Sequence, residues 1–257
     1  MATTLTPILT TLPTTTPGDG FSVFLWDSQY KFVPGGPSNS LGYTNYVGDI
    51  GVHTFGLSGA YNGVRGAYLG VGFDIGGQFG TTNNYKTGAL SAWDGTALSA
   101  REGLSTPEPN SITLRSGADL NWSVITRTPN LSTMSSPVTL HQTVASLDDI
   151  EYKRCRIRLQ DGGKLVRVEI KDSNGEYQTY LEQTLVPTAT LANAVYNSVP
   201  SIPNTFNVGL AFSNGKTASN CWIKNFSVYG DTVDDANATT ILDTLTALTV
   251  VSPTTAG

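Results

Sequence analysis

The sequence predicts an all-β chain folded as two antiparallel sheets packed face to face. Short runs of alternating apolar and polar residues recur along the chain, bounded by Gly, Pro, Asn and Asp. No long amphipathic helical pattern appears between residues 18 and 230. The 257 residues carry only 14% charged against 39% hydrophobic side chains, with 27 Gly and 13 Pro, the low-charge, turn-rich composition of β-sandwiches and barrels. These point to a two-sheet antiparallel jelly-roll sandwich with extended terminal arms.

Residues 1–17 are Thr-rich and carry Pro7, Pro13 and Pro17, which predicts an extended N-terminal arm. The sandwich is expected over 18–230. It opens with Gly18-Asp19-Gly20 and a strand placing Phe21, Val23 and Leu25 on one face. Pro34-Gly35-Gly36-Pro37 loops out ahead of Leu41-Gly42-Tyr43. The stretch Tyr68–Gly80 organises the rest: Leu69, Val71, Phe73 and Ile75 alternate, Gly70, Gly72, Gly76 and Gly77 make room for a close approach, and Asp74 is its one charge. A carboxylate in such a run needs a partner, whether metal, hydrogen-bond donor or ligand.

Thr81 to Pro109 reads as a polar loop, Asn110–Arg115 as a strand, 127–137 as another loop and Val138–Val144 as strand-like. Strands at Cys155–Gln160, Lys164–Ile170 and Glu176–Leu181, joined by Asp161-Gly-Gly and Asp172-Ser-Asn-Gly turns, form a meander. Its Arg156, Arg158, Arg167 and Glu169 are expected on a solvated face. Phe206–Phe212 and a single strand Cys221–Tyr229 close the sandwich, and 231–257 is a tail for docking or assembly, with Ile241, Leu245 and Leu248 spaced for a short helix or a strand.

A net charge of −5 argues against nucleic acid as the main partner, and no apolar run is long enough for membrane insertion. The first residues lack the basic and apolar regions of a secretory leader. Cys155 and Cys221 are expected as buried thiols in facing strands rather than a disulfide. Glu102, Glu108, Glu151, Glu169, Glu176 and Glu182 make no pair spaced for glycoside hydrolysis. His53 and His141 stand alone, and neither a nucleophile elbow nor a Cys/His metal spacing occurs. The chain is therefore expected to be non-enzymatic, glycoside hydrolysis being the remote alternative.

Six segments in order resemble the legume-type (L-type) lectins, the concanavalin A-like superfamily, particularly its bacterial lectin-like branch. They are Asp19-Gly-Phe-Ser-Val-Phe-Leu, Ser40-Leu-Gly-Tyr, Tyr68-Leu-Gly-Val-Gly-Phe-Asp, Asn110-Ser-Ile-Thr-Leu-Arg, Val208-Gly-Leu-Ala-Phe-Ser-Asn-Gly and Trp222-Ile-Lys-Asn-Phe-Ser-Val. The resemblance implies a sugar site in which Asp19 accepts sugar hydroxyls, a loop amide of Gly35 or Gly36 donates, and Gln78 stands where the family has an asparagine. It also makes Gly18–Asp19 a candidate cis peptide. The family's metal strand maps onto Gly72, Asp74, Gly76 and Gln78, with Asn83 or Asn84 near the next ligand. The transition-metal carboxylate is thus missing, and Asp74, Gln78 and Asn83 remain as a thin Ca²⁺ set; the expectation is no cofactor, calcium being the one ion the pattern admits.

The resulting expectation is a lectin-like structural protein on the surface of a virus particle, a bacteriophage decoration, fibre or adhesin component with weak glycan binding. The alternative is an active lectin, bacterial or phage-borne, and extracellular. The partners expected are other virion subunits or further copies of the chain as an oligomer, and host-surface glycans.

Overall fold

The computed structural model describes residues 2–5, 7–11, 18–47, 60–81, 106–120, 122–143, 147–188, 197–213 and 220–229. Its strands are β1 (Ala2–Leu5), β2 (Pro7–Thr11), β3 (Gly20–Asp27), β4 (Tyr46–Val47), β5 (Ala60–Tyr61) and β6 (Ala67–Asp74). Then come β7 (Ser111–Ser116), β8 (Val124–Arg127), β9 (His141–Thr143), β10 (Cys155–Gln160), β11 (Leu165–Lys171) and β12 (Tyr177–Thr184). The last are β13 (Val186–Thr188), β14 (Ser198–Pro200), β15 (Phe206–Ser213), β16 (Asn220–Ile223) and β17 (Ser227–Tyr229). The only helical turns among the described residues are short 3-10 segments.

Two five-stranded antiparallel sheets make the sandwich that the alternation predicts. The front sheet has the order β15-β3-β6-β7-β8 and the back sheet β12-β11-β10-β1-β17. Between them lies one apolar core, built from Phe21, Val23, Leu69, Val71, Phe73, Ile112 and Leu114 of the front and Ile157, Val166, Val168, Ile170 and Leu181 of the back. These are the odd or even members of each strand, so the period of two that marks them in sequence is the period that buries them. Where β3 and β6 slip register at Leu25/Trp26, Tyr68 turns inward, and its hydroxyl donates to Gly163 O at 2.9 Å, tying the front sheet to the back.

The meander β10–β11–β12 forms with the turns expected of it. Asp172 Oδ1 accepts the amides of Asn174 and Glu176 at 2.9 and 3.0 Å, which closes the second turn. Residues 2–5 and 7–11 enter the sheets as strands: β1 lies between β10 and β17, and β2 between β16 and β9. The closing strand expected as one piece is two. Asn225, at φ +56°, breaks Cys221–Tyr229 so that β16 pairs β2 and β17 pairs β1. Of the stretch expected as a strand over Val138–Val144, His141–Thr143 pairs with β2 as β9, whereas the Val138 amide bonds Leu131 O in the preceding turn; Val144 lies outside the described residues. Cys155 is buried, Cys221 is half-buried, and both are free thiols.

The outer face of the meander departs from a plain solvated surface. Glu169 is only 4% exposed and is gripped by both Arg156 and Arg158, each through Nε and Nη2 at 2.7–3.0 Å. Arg158 and Arg167 stand directly opposite each other, a like-charge pairing that Glu169 and the Arg167–Glu182 ion pair offset. The guanidinium of Arg156 also lies 4.0 Å from the centre of the Tyr177 ring. The long arginine stems cover the carboxylate that sequence alternation alone would leave in water.

Burial by itself would raise the Glu169 carboxyl, but hydrogen bonds and charge from the two arginines outweigh it and hold it below its ordinary range. A depressed carboxylate stabilises the fold above its unfolded pKa, and that contribution is lost as pH falls through the folded value. Glu169→Gln is therefore expected to cost about 3 kcal/mol at neutral pH. In urea denaturation the gap from the unaltered chain should close below about pH 4; an equal gap at both pH values would contradict the assignment.

Candidate functional site

The glycines of β6 do make room, and the chain fills that room itself. On the face of the front sheet turned away from the core, a Cβ on Gly70 would sit 2.5 Å from the Tyr43 ring, and one on Gly72 would sit 2.2 Å from Phe79. Phe24, Trp26, Leu41, Tyr43, Val64 and Phe79 form a second buried cluster over this face. The loop that carries Tyr43 is fastened by Ser22 Oγ donating to Leu41 O at 2.7 Å and by Tyr43 Oη donating to Ser116 O at 2.8 Å.

Asp74, 1% exposed, ends β6 opposite Gly20 and Ser111. Its Oδ1 accepts the Gly77 amide at 2.7 Å, and its Oδ2 accepts the amides of Phe79 and Gly80 at 2.6 and 3.2 Å. The turn that points those amides inward needs Gly77 at φ +80°, where a Cβ would also strike the Glu108–Pro109 backbone at 2.4 Å.

Beside this turn lies Arg115, 2% exposed, a residue to which the sequence reading gave no role. Its Nε and Nη2 donate to Phe79 O at 2.8 and 2.5 Å, Nη2 also to Thr81 O at 3.0 Å, and Nη1 to Trp122 O at 2.6 Å. Burial draws the guanidinium down to about 9 against the opposing charge of Asp74, and it stays cationic at neutral pH. One signal could have found it. Arg115 is the lone charge in an otherwise uncharged alternating strand, on the same face as Ser111 and Thr113.

The residues expected to bind sugar fall into two groups. Asp19 and the 75–78 turn are brought together: Asp19 O accepts the amides of Ile75 and Gly76 at 3.0 and 3.2 Å, and Asp19 Oδ1 lies 3.8 Å from the Cβ position of exposed Gly76. Gln78 is half-buried at the end of the same turn, its carbonyl accepting the Thr81 hydroxyl at 2.7 Å. Gly35 and Gly36 are buried, and their amides donate to Gly42 O and Thr44 O, both at 2.7 Å, so these loop donors are spent within the chain. The Gly18–Asp19 peptide is trans, contrary to the cis bond expected from the resemblance; the chain turns instead at Gly20, whose φ is +134°. That removes the main argument for a sugar site at Asp19.

A calcium ion requires several oxygens converging with enough negative charge to displace water. Both oxygens of Asp74 face N–H donors, which present hydrogens where a cation needs acceptors. Among the described residues, no three His, Cys, Asp or Glu side chains gather to hold a metal. Among the described residues, the Asp74 surroundings therefore do not fit Ca²⁺. Asn83 and Asn84, like His53, lie outside the described residues.

No family model matches the chain, and no curated protein matches it in sequence. Solved structures similar to it are legume lectins at low identity. Lectin I-B4 of Griffonia simplicifolia in its metal-free form has TM-score 0.44 and 15% identity, over 86% of this chain and 67% of that one. The Lotus tetragonolobus seed lectin has 0.43 and 14%, over 87% and 72%. Basic winged bean lectin with Tn-antigen has 0.41 and 12%, over 83% and 60%. The fold assignment rests on the strand pairing described above.

Replacing Asp74 by Ala orphans three buried amides beside a buried cation, and should cost about 2–4 kcal/mol. The melting temperature of the unaltered chain should be the same with calcium and with chelator. A sharp fall on chelation would overturn the hydrogen-bonded account of Asp74.

Proposed function

We propose that the chain is a non-enzymatic, lectin-like structural module of a particle surface, whose glycan recognition is weak and confined to the rim formed by Asp19, Gly76 and Gln78. One observation carries this reading: the glycine-lined face of the front sheet is occupied by the chain's own Tyr43, Phe79 and Arg115. A ligand approaching that face meets loops rather than strands. The site left to it is a shallow rim with one half-buried carboxylate, one half-buried amide side chain and an exposed glycine.

Three of the described carboxylates support the non-enzymatic part. Glu169 is locked between two arginines on the far sheet, Glu108 accepts the Asn130 amide at 3.1 Å, and Asp74 accepts three amides of its own turn. None of these is poised as an acid or nucleophile across from another. Placement on a virion rests on the low-charge, Thr- and Gly-rich composition, and mass spectrometry of purified particles tests it.

A glycan array probed with single and multivalent chain, with and without chelator, tests the rim. Shallow wet sites gain little from apolar burial, so single-copy affinity should be about millimolar and rise with valency. Binding should be indifferent to chelator and lost in Asp19→Ala. Tight binding by the isolated chain, or binding that survives Asp19→Ala, would contradict the proposal.

A further inference from the structure

β15 is the outermost strand of the front sheet, and a single hydrogen bond determines which of its backbone groups face outward. The Ser28 amide donates to Thr205 O at 3.2 Å, and the register runs on through Phe206↔Asp27. In an antiparallel ladder, hydrogen-bonded and non-bonded pairs alternate. Asn207, Gly209, Ala211 and Ser213 therefore bond β3, while Phe206, Val208, Leu210 and Phe212 turn their N–H and C=O groups away from the sheet. The other side of β3 agrees, since Ile75 N bonds Asp19 O and directs the odd residues of β3 toward β6.

Among the described residues no strand pairs with this outer edge. The same four residues carry their side chains on the core face. Phe206, Val208 and Leu210 are half-buried against the core, and Phe212 is 46% exposed beside the Phe21 ring at 5.9 Å. No charge, proline or bulge interrupts β15, although these are the devices that ordinarily protect an edge.

The edge is also self-complementary. Phe206-Asn-Val-Gly-Leu-Ala-Phe212 reads almost alike in both directions about Gly209. A two-fold axis at Gly209 sets Phe206 against Phe212 of the second copy, and Val208 against Leu210. Outward-facing residues must meet outward-facing residues for the ladder to form, and this register meets that condition at every position.

We propose that two copies of this chain join edge to edge, β15 antiparallel to β15, so that their front sheets become one continuous sheet closed by a two-fold axis. The inference stands apart from the glycan reading, since it uses only the edge strand.

Sedimentation of the full chain across a hundredfold range of concentration tests it, alongside Phe212→Lys. That substitution puts a charge opposite Phe206 of the second copy, at a position already 46% exposed in one chain. The full chain should dimerise, and the variant should dimerise at least about tenfold more weakly. Residue-resolved hydrogen exchange on the unaltered chain gives a second readout. The amides of Val208 and Leu210 should lose protection on dilution, while those of Gly209 and Ala211 keep theirs. A monomer throughout, or a dimer that Phe212→Lys leaves intact, would overturn the proposal. So would concentration-independent protection of Val208 and Leu210, which would mean that another segment of the same chain covers the edge.

Discussion

A carboxylate cannot be buried without partners, and the front of this sandwich is arranged around that requirement at Asp74. Its partners are main-chain amides of the segment that immediately follows it. Supplying them forces the chain through a tight turn at Gly76–Gly77, and the turn throws Phe79 back over Gly72. The carbonyl of Phe79 then becomes an acceptor for Arg115, whose remaining donors reach Thr81 and Trp122. One short-range constraint thus positions a strand end, a covering ring and a buried cation from the neighbouring strand.

The same chain of contacts limits what the protein can do. A sandwich whose open face is lined with glycine has space for a ligand only while nothing else enters it. Here Tyr43 and Phe79 enter it, Arg115 is pinned behind them, and the loop amides of Gly35 and Gly36 are spent on Gly42 and Thr44. In the proposed reading, recognition falls to groups at the rim, and the uncharged edge of β15 offers a separate surface for association.

The sandwich class, the meander and the importance of Tyr68–Gly80 were legible in the sequence because strand period and turn chemistry are local properties. That Asp74 needed a partner was legible too, but metal and N–H donors are both consistent with one aspartate before two glycines. The lone charge of Arg115 in its strand was legible, but its partners were not, because its acceptors lie 34–36 residues earlier and 7 residues later, in turns whose shape no local pattern encodes. Glu169 looked solvated because alternation assigns a face and says nothing of arginine stems lying over it. The break at Asn225 was hidden by an apolar pattern that continues across it into a different sheet.

Amide hydrogen exchange at Gly77, Phe79 and Gly80 tests most directly whether Asp74 is held by its own turn. If it is, these three amides exchange only through global unfolding, equally slowly in calcium-free protein and with calcium added. Fast exchange in calcium-free protein, slowed by calcium, would show instead that the turn is organised by a metal and that the carboxylate does not hold it alone.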